Sequence, residues 1–242
     1  MTRLFASPLF LAALVSLANA AKPVTVDDAA YLAYARHIAS RPLDPYGFAV
    51  FWYTVPGPAM HVLAPPVVPY WLAAGVGLFG EHFALLKLWM FPFVWVLAWA
   101  VRYLLVRFAR GTETRLLPLV VLSPGVLPAV NLMLDVPAFG LGLAAVAVFA
   151  LAADGNSWRL AIFAGLIAGV AMQTKYTALL VPPAVAWYGL THRRVGLAAV
   201  AAAVAVLVFA GWEAFLVRKY GESHFAYHAL AAGSGGRAAF VR

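Results

Sequence analysis

The chain has no cysteine, little charge and hardly any acid. With no Cys among 242 residues, neither disulfides nor a thiolate metal site contributes, and the redox compartment goes unread. Charged residues make up only 11% of the chain, nine of them acidic, which leaves few groups for solution chemistry. No P-loop, Gly-x-Ser-x-Gly turn or dinucleotide fingerprint occurs, so nucleotide-driven and serine-hydrolase chemistries lose support. Internal repeats are missing too, which counts against a repeat-built transporter. The one linker-like run is Gly233-Ser234-Gly235-Gly236.

Hydrocarbon takes the place of the missing charge. Hydrophobic residues are 64% of the chain and the mean hydropathy is +0.87, too apolar for a soluble domain of this length. The fold class that follows is all-α, a polytopic transmembrane helical bundle forming one domain over residues 1–242, with about six or seven crossings. The net charge of +8 first suggests nucleic acid, but most arginines sit in short breaks between apolar runs. There they set orientation by the positive-inside rule and offer no groove for a polyanion, so nucleic acid is not an expected partner.

Arg3, the apolar stretch 4–20 and the small residues Ala18-Asn19-Ala20-Ala21 read either as a retained first helix, the favoured reading, or as a cleavable secretory signal. Either way the chain from Lys22 onward is delivered to the far side of the membrane. Residues 22–82 form a long first extracytoplasmic loop with short interfacial helices. Within it Thr25-Val26-Asp27-Asp28 has the form of a capping box, and Asp27, Tyr31, Tyr34 and Ile38 recur at helical spacing. Segment 67–80 is short for a span and is taken as re-entrant or interfacial. Spans are then expected at 83–106, 116–130, 136–152, 160–171, 178–190 and 195–217. This count puts Arg107, Arg110, Arg115, Arg159, Arg193 and Arg194 inside, and brings Asp27, Asp28, His61, Asp135 and Lys175 to the opposite face.

Ionisable groups at the edges of apolar helices are costly unless paired or wet, so each is a functional candidate with a plainer alternative. For Asp27 and Asp28 the alternative is helix capping; the functional reading is a general base and a second carboxylate that orients it or holds a cation. Asp135, before Val136-Pro137, is equally a capping candidate. Lys175 either snorkels to the interface or serves as a point charge for a lipid phosphate. His61 and His37 read as structural histidines without metal spacing, and the tail from Arg218 to His224 is either solvated or in contact with a headgroup.

Four segments, in order, resemble the GT-C class of lipid-linked-sugar glycosyltransferases, those like protein O-mannosyltransferases (glycosyltransferase family 39) and bacterial aminoarabinose transferases. Asp27-Asp28-Ala29-Ala30-Tyr31 resembles the acidic-pair helix that follows that family's first span. Pro65-Pro66-Val67-Val68-Pro69-Tyr70-Trp71-Leu72 is similar to its Pro-Pro-Leu-x-x-Tyr-Trp-Leu segment, and Leu134-Asp135-Val136-Pro137 to its Asp-x-Pro turn. Gly165-Leu166-Ile167-Ala168-Gly169-Val170-Ala171-Met172-Gln173-Thr174-Lys175 resembles its Gly-Leu-x-x-Gly-Leu-Ala-x-x-Thr-Lys segment.

The resemblance implies a polyprenyl-phosphate sugar donor and an active site on the non-cytoplasmic side, in a bacterial inner membrane. It also implies Asp27 as catalytic residue with Asp28 beside it; the placement of the charges themselves suggests Lys175 at the donor phosphate and Asp135, His61 and Tyr31 as supporting polar groups. Inverting transfer to a lipid, glycan or protein acceptor is expected, with no cofactor required and a divalent metal allowed. Two departures stand out. The family's His-Pro-Pro is Ala64-Pro65-Pro66 here, so no histidine role carries over to His61, and the chain stops at Arg242 where the family continues. A truncated architecture, completed by a partner subunit, is therefore expected; the competing classes are a membrane transporter and an inactive lipid-binding fragment.

Overall fold

The computed structural model describes residues 7–52 and 55–233, so Arg3 and residues 234–236 of the Gly/Ser run lie outside it. Among the described residues helices predominate and the only strands form one small hairpin. In order come α1 (Pro8–Ala20), α2 (Val26–Ser40), strands β1 (Ala49–Phe51) and β2 (Pro56–Pro58), α3 (Ala59–Val62) and α4 (Val67–Phe79). Then follow α5 (Phe83–Trp89), α6 (Phe91–Phe108), α7 (Glu113–Val121), α8 (Asp135–Asp154), α9 (Trp158–Met172), α10 (Val181–Thr191), α11 (Val195–Tyr220) and α12 (His224–Gly233). Single 3-10 turns cover Leu127–Ala129 and Tyr176–Leu180. The strands pair antiparallel, Val50 opposite Gly57.

Among the described residues three helical stretches are long and apolar enough to cross a membrane: Phe83–Phe108, Asp135–Asp154 and Val195–Tyr220. The first is α5 and α6 with a break at Met90, where Pro92 cannot donate into the preceding turn. α1, α4 and α9 are apolar but shorter.

Segments 116–130 and 178–190 are not the continuous helices expected from hydropathy. The first is the nine-residue α7 followed by a 3-10 turn, and the second is a 3-10 turn leading into the 11-residue α10. Proline is the reason: Pro118, Pro124 and Pro128 interrupt one run, and Pro182-Pro183 must sit in the first turn of the other.

Contacts still trace a path that alternates between two ends. Lys22, after α1, bonds the carbonyl of Leu127, after α7, at 2.7 Å. At the other end Arg107 of α6 meets Asp154 of α8 and Tyr188 of α10. α11 then returns to the first end, where the Tyr220 hydroxyl bonds Asp44 at 2.7 Å.

Close helix approach explains two glycines. A Cβ on Gly165 would fall 2.4 Å from the Ala201 carbonyl, and one on Gly169 would fall 2.5 Å from the Val208 Cβ. The Gly-x-x-x-Gly of α9 is thus the contact stripe for α11, the small-residue packing common in membranes.

The 22–82 segment has its own core. Tyr34, Ile38, Leu63, Val68 and Leu72 are buried together with Leu132, Leu134 and Leu216 from the bundle. This core fixes α2 against the start of α8.

Candidate active site

Asp28 does the positioning. It is fully buried; its Oδ2 accepts from the Thr25 N–H at 2.9 Å, closing the capping box of α2, and its Oδ1 accepts from the Leu132 N–H at 3.0 Å. Both oxygens are committed to backbone donors, so the carboxylate ties the first turn of α2 to the turn before α8. Buried Lys87 adds a second tie from α5, donating to the carbonyls of Lys22 at 2.7 Å and Pro23 at 3.0 Å.

Asp27, next to this clamp, is half-buried and makes no hydrogen bond among the described residues. Tyr31 lies one helical turn on, and its phenol is pushed up to about 12 by burial, then by the negative charges of Asp27 and Asp135. Tyr31 thus stays neutral within the field of both carboxylates.

Asp135 is the first residue of α8, but its side chain makes no cap bond. Its Oδ1 takes the Lys175 ammonium at 2.5 Å instead, with both side chains roughly two-fifths exposed. Lys175 has extended backbone where α9 gives way to the 3-10 turn, and buried Thr174 secures that exit by bonding the Val170 carbonyl at 2.8 Å. The lysine is therefore paired, and its charge is held at the mouth of a cavity.

That cavity, about 870 Å³, runs between α7, α8 and α10, with Val126, Phe139, Leu143 and Val181 among its apolar walls and Asp135 at its polar edge. It is an apolar slot ending at an ion pair. Among the described residues no three His, Asp or Glu side chains are grouped so as to hold a metal ion.

His61 engages the C-terminal segment: its Nε2 lies 2.5 Å from Glu222 and its ring stacks on Tyr227 at 4.0 Å. No described contact joins it to Asp27. In the tail, Lys219 bonds the Leu43 carbonyl at 2.5 Å and lies 3.3 Å from Asp44, while Arg218 is exposed.

One network was not foreseen. Buried His224 bonds the Leu63 carbonyl through Nε2 at 2.7 Å and the Tyr176 hydroxyl through Nδ1 at 2.5 Å, with Glu213 a further 3.3 Å away. The carbonyl can only accept, so Nε2 carries the proton, and the single Tyr176 hydroxyl proton faces two acceptors, Nδ1 and the Glu213 carboxylate. Burial drives the His224 imidazole down to about 3, keeping it neutral. Glu213 also accepts from Ser223 at 2.7 Å and the Phe225 N–H at 3.1 Å, fastening the start of α12. A lone glutamate inside the 26-residue apolar α11 was the readable signal for this network.

A family model for the dolichyl-phosphate-mannose-protein mannosyltransferases matches residues 64–215, well over half of the chain. The chain belongs to that family. No individual curated protein and no solved structure matches. Membership makes it a membrane glycosyltransferase of the GT-C kind. The family match takes in Asp135, Lys175 and the slot, whereas Asp27, Asp28 and Tyr31 precede it and His224 follows it.

Proposed function

We propose that the chain transfers a sugar from a polyprenyl-phosphate carrier to an acceptor at the Asp27 end of the bundle, with inversion at the anomeric carbon. The observation that carries this reading is the apolar slot ending at the Asp135–Lys175 pair, with the uncommitted Asp27 close enough, through Tyr31, to share its electrostatics. A prenyl chain suits the slot, and its phosphate suits Lys175, a point charge that Asp135 keeps in place until the donor arrives. In the reaction Asp27 takes the proton of the acceptor hydroxyl or amide, and the freed pair attacks the anomeric carbon. The bond from that carbon to the phosphate oxygen breaks, its electrons stay on the phosphate, and Lys175 stabilises the charge that localises there. Asp28 acts only by holding α2.

Orientation follows from charge. Of the nine acidic residues only Glu113 and Asp154 are at the end that carries Arg107, Arg110, Arg115, Arg159, Arg193 and Arg194. Arginine-rich short loops favour the cytoplasm, which supports an extracytoplasmic Asp27, on the periplasmic face in a bacterial inner membrane.

The test is transfer from radiolabelled polyprenyl-phosphate sugars to membrane-extract acceptors by protein in nanodiscs. Asp27→Asn should lower transfer by about two to four decades with folding intact, and Lys175→Ala should weaken donor binding. Wild-type protein that neither binds nor uses such donors would sink the proposal.

A further inference from the structure

The two ends of the bundle differ in which cation they carry. All four lysines, Lys22, Lys87, Lys175 and Lys219, are at the Asp27 end, and the positive charge of the opposite end is carried by arginine alone. Orientation in a membrane needs only positive charge, which either residue supplies. Arginine adds a planar fork that takes two oxygens of one phosphate. The acids at its end are already spent: Asp154 is forked by Arg107, and the Glu113 carboxylate accepts from the Gly111 N–H at 2.6 Å. No acidic residue stands in the first turn of α9, α10 or α11. Arg194 is held by the Asn156 amide oxygen at 3.1 Å, whereas Arg159 and Arg193 are exposed and make no hydrogen bond or ion pair among the described residues.

These two arginines stand on neighbouring turns of matched build. α8 and α10 are each followed by a residue in left-handed backbone, Asn156 at φ 46° and Arg193 at φ 56°. Beyond each, the next N–H reaches back to a carbonyl of the last helical turn, Ser157 to Ala152 at 2.9 Å and Arg194 to Gly189 at 2.7 Å. The Arg194–Asn156 bond joins the turns, and Trp158 lies over the start of α11, where a Cβ on Gly196 would fall 3.3 Å from the indole ring. Left-handed backbone suits glycine or asparagine, and a long side chain there is strained. Arginine occupies position 193 with no bond in the fold to offset that strain. Apolar groups rim the pair: Trp158, Trp187, Leu190 and Val195 are all exposed, the mixture of indole and aliphatic side chains that sits at headgroup depth in a bilayer. A soluble phosphate gains nothing from such a rim, and a phospholipid does.

We infer that Arg159 and Arg193 form a site for the phosphate of an anionic phospholipid in the leaflet at the arginine end, with Trp158 against its glycerol region. The guanidinium forks take the phosphate oxygens, and the acyl chains run over Trp187 and Leu190. An anionic headgroup is preferred to a choline one, which would bring a further cation to a place where no carboxylate is free. The site is at the far end of the bundle from Asp27, so it depends neither on the donor reading nor on which face is cytoplasmic.

The experiment is NMR of protein labelled with ¹⁵N at its indoles, in phosphatidylcholine nanodiscs, with the Trp158 signal assigned by Trp158→Phe. The probes are phosphatidylglycerol, replacing part of the phosphatidylcholine, and inorganic phosphate. Phosphatidylglycerol should shift the Trp158 N–H in a saturable way, and inorganic phosphate should not. Arg159→Gln should weaken phosphatidylglycerol by roughly fivefold or more, and so should Arg193→Lys, which keeps the charge and loses the fork. Arg193→Gly should raise the melting temperature in pure phosphatidylcholine, because glycine relieves the left-handed strain, yet weaken phosphatidylglycerol by at least as much. A merely structural arginine would not move those two readings in opposite directions, and a variant that melts higher has not lost the lipid by misfolding. If phosphatidylglycerol leaves Trp158 unmoved, if inorganic phosphate shifts it equally, or if Arg193→Lys or Arg193→Gly holds the lipid as tightly as wild type, the inference is overturned.

Discussion

Helix α8 ends in an aspartate–cation pair on both sides, and the two pairs differ in company. At one end Asp154 takes the Arg107 guanidinium through two bonds, at 2.5 and 2.8 Å, and Tyr188 closes on the same arginine. Around it nearly every other charged group is basic, and Arg107 is shared between two partners. At the other end Asp135 holds Lys175 by a single contact beside an apolar slot, with Asp27 and Tyr31 near. A forked, shared guanidinium is a fastener; an ammonium held by one exposed bond is a charge that can be handed to a ligand. Ion pairs of similar length therefore have different uses, and the number of groups competing for each cation tells them apart.

The contrast can be broken experimentally. The widest gap should appear in transfer activity, where Asp27→Asn costs about two to four decades while Asp154→Asn stays within a few-fold of wild type. Equal losses would erase the difference between the ends. In stability, Asp28→Ala should cost about 2–4 kcal/mol, since two backbone N–H groups lose their acceptor; chemical denaturation in micelles measures it, and a neutral result would remove Asp28 as the clamp. Smaller again, Arg107→Ala should destabilise by about 1–2 kcal/mol and Lys175→Ala by under about 1 kcal/mol, yet only the second should reduce donor binding.

A separate effect, confined to the α12 end, is set by pH. His224 resists protonation down to about 3 in the fold, against 6.5 when free, and burial pushes His228 the same way. The unfolded chain takes up these protons first, so the stability held above pH 6.5 drains away as pH falls towards 3, at roughly 1.4 kcal/mol per unit for His224, with His228 acting in the same direction. Hydrogen exchange in α12, corrected for intrinsic rate, should rise between pH 7 and 5 while that at the Arg107 end stays level. A flat profile in α12 would contradict the assigned proton positions.

Much of the framework was legible in the residues. The capping box predicted α2, and period and hydropathy predicted α8 and α11, because these depend on contacts within a few residues or on the preference of apolar runs for lipid. Segment 116–130 misled hydropathy, which is blind to the prolines that break backbone bonding. Asp27 and Asp28 looked equivalent as neighbours on one helix. Their separation depends on Leu132, 104 positions away, whose N–H takes one oxygen of Asp28 and leaves Asp27 free.

The sequence by itself determined the helical membrane class, the family signature and the segregation of arginine from acid, since composition and short-range spacing carry all three. Only the tertiary structure decided which carboxylate is spent on the backbone, that Asp135 grips Lys175 and caps nothing, and that the tail from Lys219 to His224 locks onto the first loop. Those outcomes depend on which polar atoms meet across large sequence separations once burial has removed water as a partner, and spacing along a chain does not encode such meetings.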